Sequence, residues 1–152
     1  MSTGGEPGYL HPVRTRNGTG HRYFFYDKHH GRGGPEVAQW ATDLSEVEEF
    51  SIFDRCDTLD LSDSYGNLFG LRLAAGVPQQ VLKLGTLGEF VAKFPLAHPG
   101  QSWHGFPFSP VRPIGPLHPP DRTVPGGVLR QMEAKNLLSK AQRRRLQGGK
   151  DP

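Results

Sequence analysis

Thr58-Leu59-Asp60-Leu61-Ser62-Asp63-Ser64-Tyr65-Gly66-Asn67-Leu68-Phe69-Gly70-Leu71-Arg72-Leu73 holds two short apolar runs around a polar loop. Residues 58–62 alternate polar and apolar with a period of two, and residues 68–73 are rich in strand formers. The stretch predicts a β-hairpin with a five-residue loop, 63–67. Two further β-prone runs follow, Val81 to Leu84 and Glu89 to Phe94, separated by glycine-containing breaks. Upstream, His21-Arg22-Tyr23-Phe24-Phe25-Tyr26-Asp27 reads as a strand covered on both faces.

Between that strand and the hairpin lies one amphipathic segment. Gly34-Pro35 suits a helix start, and Val37, Trp40, Ala41, Leu44 and Val47 recur at the spacing of a single apolar stripe. Ser45 and Glu48 have capping-box spacing, so this helix is expected to break near Asp43 and restart for a short turn. Its outer face carries Asp43, Glu46, Glu48 and Glu49. The order β-α-β-β-β-β gives an α+β fold: a small antiparallel β-meander with one packed amphipathic helix.

Glycine and proline together supply 34 of the 152 residues, so much of the chain is expected in loops. Residues 1–19 lack an apolar period and read as a flexible N-terminal arm; residues 20–97 form the α+β core. Residues 98–126 are proline-rich. Pro107, Pro110, Pro113, Pro116 and Pro119 recur every third residue, with Phe108, Val111, Ile114 and Leu117 along a second edge. That is the three-residue turn of polyproline II, and the apolar second edge predicts a strap laid on the sheet rather than an exposed ligand. Residues 127–152 close the chain as a basic helix pair and tail. Val128, Leu129, Met132 and Leu137 form the first stripe, Ser139 to Gln142 has capping-box spacing for the second helix, and Gly148 stops it.

Charge is unevenly placed. Within the net +3, residues 36–63 carry −8 and residues 128–152 carry +5, while the rest of the chain supplies +6. The two poles either neutralise each other within the molecule or face separate partners. Lys140, Arg143, Arg144 and Arg145 on one short helix supply charge-assisted contacts to phosphate without demanding much geometry. The leading expectation is therefore a non-catalytic binding module that contacts nucleic-acid phosphates through this helix, with little base readout.

Two other classes compete. Asp27, His30 and His104 are the weak catalytic candidates of a small His-dependent phosphodiesterase or toxin-like nuclease, with Arg32 or Lys93 stabilising developing charge. An adaptor or immunity-type protein would instead bind a basic protein partner through the acidic helix. No zinc-ligand spacing appears, and the series Asp54, Asp57, Asp60, Asp63 lacks the glycine and terminal glutamate of a calcium loop, so no metal and no cofactor is expected. The single Cys56 lies among acids and reads as a buried structural thiol. No run reaches the length of a membrane span and no signal-peptide core opens the chain, which predicts a soluble, cytoplasmic protein with no membrane partner.

Overall fold

The computed structural model describes residues 13–14, 20–31, 38–76, 79–108 and 124–152. Strands β1 (Val13–Arg14) and β2 (Arg22–Tyr23) pair antiparallel, and Asp27–His29 forms a single 3-10 turn. Helix α1 (Glu46–Leu59) follows, then β3 (Leu68–Ala74), β4 (Gln80–Leu82), β5 (Val91–Phe94) and β6 (Phe106–Phe108), and finally helices α2 (Gly126–Ala134) and α3 (Lys140–Gln147). The larger sheet has the order β4-β3-β5-β6, antiparallel throughout. The fold is α+β as expected. Its strand order departs from a plain meander in one place, because β5 pairs with the opposite edge of β3 from β4.

The capping box at Ser45 and Glu48 fixes where α1 begins. Ser45 Oγ accepts from the Glu48 N–H at 3.1 Å and the Glu48 carboxylate accepts from the Ser45 N–H, with acids in the first turn to meet the helix dipole. The expected helix over the Val37–Val47 stripe is thus corrected for residues 38–44. There the backbone donors bond outward: Trp40 N–H to the His29 carbonyl at 2.9 Å and Ala41 N–H to the Leu84 carbonyl at 2.8 Å. Trp40 is buried from an extended stretch bridged to Gly85, and Leu44 is buried just past a turn closed by its own N–H to the Ala41 carbonyl at 3.0 Å.

The expected strand over 58–62 is also corrected. Glu49, Ile52, Phe53 and Cys56 form the buried face of α1 at i, i+3, i+4 and i+7, carrying the helix through Leu59. Asp60 ends it in the left-handed region at φ 52°, and residues 61–62 keep only one bridge, Ser62 to Leu68. Helix α1 lies on β3, where Gly70 permits close approach: a Cβ there would come within 2.6 Å of Ile52 Cγ2. Cys56 is buried, and burial pushes its thiol pKa up, consistent with a packing role.

The core is aromatic. Tyr23, Phe53 and Phe94 are fully buried and mutually in ring contact, with centroids 4.8 to 5.8 Å apart. Gly105 lies against the Phe94 ring so closely that a Cβ would overlap it. Strand β2 is stitched to the start of the last strand segment by Trp103 N–H to the Arg22 carbonyl at 2.7 Å and Phe24 N–H to the Trp103 carbonyl at 2.8 Å.

At the C-terminal end, Val128, Leu129 and Met132 of α2 and Leu146 of α3 are buried. Ser139 and Gln142 form the expected capping box, and Gly148 caps the end. Gln131 donates to the Ser62 carbonyl at 2.9 Å and Gln142 to the Gln79 carbonyl at 3.0 Å, tying the pair to the core. Pro107 of the proline series lies within β6; the rest of the strap, 109–123, most of the 1–19 arm and residues 32–37 lie outside the described residues. No described helix is long and apolar enough to cross a membrane.

Candidate functional site

Among the described residues, three constellations of ionisable groups stand out. The first is α3. Arg143 is held by the protein itself: Nε donates to Glu133 of α2 and Nη1 to Gln147, and the side chain is only 12% exposed. Arg145 donates from Nε to the Asp151 backbone carbonyl. Lys140 and Arg144, one helical turn apart, are exposed and make no ion pair among the described residues. Arg130, Lys135 and Lys150 are exposed as well. Two acids at the start of α1 are taken by another cation. Arg72 lies 3.1 Å from Asp43, just before the helix, and 3.0 Å from Glu48 in its first turn, and its guanidinium holds the Asp43 carboxyl below the usual range. Of the four acids read as an outer face, Glu49 is fully buried.

The second constellation surrounds Glu49. The Tyr23 hydroxyl donates to Glu49 Oε2, and His30 Nε2 lies 2.6 Å from Oε1. Burial raises the Glu49 pKa against the opposing hydrogen bonds from His30 and Tyr23; burial, then the Glu49 charge, raises Tyr23. His30 lines a cavity of about 290 Å³ with Gln39, Trp40, Thr42 and Thr86. His104 goes elsewhere: its ring contacts Tyr26 at 5.1 Å and stacks on His29 at 6.4 Å. Burial lowers both His29 and His104 to a pKa of about 4. The expected pair His30 and His104 is therefore split between two environments, and the Asp27 side chain lies outside the described residues.

The third was not anticipated. A cavity of about 520 Å³ opens beside the C-terminal end of α1, lined by His21, Arg22, Asp57, Ser62, His98 and Gln101 among others. His21 Nδ1 lies 2.9 Å from Asp57 Oδ1; the aspartate side chain is 5% exposed and the imidazole 41%. Trp103, which also lines the cavity, packs on the His21 ring at 5.5 Å. Asp57 belongs to the acid series that does not qualify as a calcium loop, and 36 residues separate it from His21. No local spacing joins the two. The one available signal was a histidine opening the aromatic run at residue 21.

Among the described residues, no three His, Cys, Asp or Glu side chains are grouped to hold a metal ion. No family model, no curated protein and no solved structure matches the chain.

Proposed function

We propose that this chain binds nucleic acid through its phosphates, using Lys140, Arg144 and Arg145 of α3, with little base readout. The observation that supports it is the unequal commitment of the α3 cations. Lys140 and Arg144 stand exposed on one face with no carboxylate partner among the described residues, while Arg143 is tied to Glu133. Lys140 sits at the first helical position, where the helix dipole disfavours a cation, so an approaching anion relieves that repulsion. Phosphate contact releases condensed counterions and needs no fixed docking geometry.

Removing Arg143 from the set changes the expected salt dependence. Three engaged cations on duplex DNA give a log-affinity against log-salt slope of about −2.7, where four would give about −3.6. Fluorescence anisotropy with a labelled duplex over a salt series reads the slope; a flat response removes the proposal.

A further inference from the structure

Helix α3 divides into two halves around its circumference. At about 100° per residue, Gln142, Arg143, Leu146 and Gln147 share one half, and that half is fastened to the protein. Leu146 is buried, Gln142 donates to the Gln79 carbonyl at 3.0 Å, and Arg143 holds Glu133 of α2 and Gln147 of its own helix. Lys140, Ala141, Arg144 and Arg145 share the other half, and all four are exposed. Within it Lys140 and Arg144 lie about 40° apart on one flank, and Arg145 lies about 100° from Arg144 on the other. Ala141 falls between Arg144 and Arg145. The outward half therefore carries cations on both flanks and a single methyl group between them. No acid occurs between Glu133 and Asp151 in the sequence, and the Asp151 contact to Arg145 is made by its backbone carbonyl. The capping box of Ser139 and Gln142 holds the first turn, so the arrangement starts from a fixed end.

We infer that this outward half enters the major groove of B-form DNA, with Lys140 and Arg144 on the phosphates of one strand, Arg145 on those of the other, and Ala141 at the groove floor. The inference rests on the α3 reading and adds to it the kind of nucleic acid and the way it is held. A helix with its side chains is about 10–12 Å across, and the major groove of B-DNA is about 12 Å wide. The minor groove, at about 6 Å, is too narrow for it. Phosphates line both walls of the major groove; a helix with cations on one flank would suit one wall, and α3 has them on two. Ala141 is the smallest side chain of the outward half, which lets the helix backbone come close to the bases. Its methyl group neither donates nor accepts, so the floor reads no hydrogen-bond pattern and base readout stays small. An A-form RNA duplex offers a deep, narrow major groove that these side chains cannot enter. The preference is therefore for the form of the duplex and not for its sequence.

The test uses the full chain and labelled probes of equal length and sequence: a DNA duplex, an RNA duplex and the DNA single strand. In anisotropy titrations at one salt concentration, the DNA duplex should bind about tenfold or more tighter than either of the others. Ala141→Leu keeps a strong helix former in place but fills the floor, so it should weaken binding of the DNA duplex by about tenfold with the salt slope unaltered. The same substitution at Ala134, exposed at the end of α2, should leave binding as in wild type. Dimethyl sulfate reads the groove on wild type alone, whatever the variants do. Guanine N7 lies in the major groove and adenine N3 in the minor, so bound protein should protect N7 and leave N3 reactive. An N7 that stays reactive under saturating protein, equal or tighter binding of the RNA duplex or the single strand, or full affinity in Ala141→Leu overturns the inference. Salt-dependent binding with N7 unprotected sinks groove entry alone; a flat salt response on every probe removes the α3 reading and groove entry with it.

Discussion

At the first turn of α1, Glu49 is fully buried between the Tyr23 hydroxyl and His30, and Glu48 shares Arg72 with Asp43. On α3, Lys140 and Arg144 stand in solvent with no carboxylate partner among the described residues. The partners of the first region come from 19 to 29 residues away in the chain, so its charges join separate elements into one body. Those of the second contribute nothing comparable to the fold. Charge that has been desolvated and paired is structural; charge left hydrated is what a partner can use.

Truncating Glu49 breaks this contrast most sharply. Glu49→Ala leaves a buried tyrosine hydroxyl and His30 without their acceptor, and removing one member of a buried hydrogen-bonded set costs about 3–5 kcal/mol. Glu49→Gln keeps the shape and one acceptor and should cost less. Urea unfolding checks both; a loss from Glu49→Ala under about 1 kcal/mol would place the organisation of this end in the aromatic packing alone.

Next in size is a pH effect from the buried rings of His29 and His104. Each is held near pKa 4, below the 6.5 of an unperturbed histidine, because burial disfavours the imidazolium. At neutral pH both rings are uncharged whether the chain is folded or unfolded. As the pH falls from about 6.5 towards 4, the unfolded chain binds protons that the folded chain refuses, so stability present above that window is lost within it. For one ring the full effect is on the order of 3 kcal/mol. Glu49, whose pKa burial raises, acts in the opposite sense and offsets part of it. Thermal unfolding across that range should show a falling Tm, and His104→Gln should flatten the fall by about half. An unaltered profile in the variant would mean that His104 is not kept neutral by the fold.

The same contrast explains what could be read from the chain. Local rules located the C-terminal pair: the Ser139–Gln142 box, the stop at Gly148 and the α2 stripe all lie within a few residues of what they determine. Ser45 and Glu48 were equally visible and mark the restart at which α1 begins, but that restart runs on to Leu59 instead of one short turn, and the stripe from Val37 to Val47 also predicts a helix ahead of it. That stripe misled because Trp40 is buried from an extended stretch whose donors reach His29 and Leu84, and Leu44 from just past the turn that follows it. The helical face of α1 was masked because one of its inward members is Glu49, whose burial depends on Tyr23 and His30. For the same reason the alternation at Thr58–Ser62 resembled a strand, although Leu59 ends α1 and Leu61 is buried beyond its cap. Histidines were singled out by adjacency, yet the geometry sends His30 to Glu49, His104 to His29 and His21 to Asp57. Such pairings are made by tertiary packing, and no spacing announces them.

The smallest effect on stability is also the most discriminating, because it separates two neighbours on one helix. Arg143→Gln removes a partly buried ion pair with Glu133, so it should cost roughly 1 kcal/mol of stability and leave the salt slope of nucleic-acid binding unchanged. Arg144→Gln should do the reverse: stability within about 0.5 kcal/mol of wild type and a slope shallower by about 0.9. Anisotropy titrations and urea unfolding on the same two proteins give both numbers. If Arg143→Gln flattens the slope as much as Arg144→Gln does, phosphate competes successfully with Glu133 for the guanidinium, and pairing in the folded chain would no longer distinguish structural from available charge. If only Arg144→Gln does so, the exposed i, i+4 face of Lys140 and Arg144 is the surface that meets the phosphates.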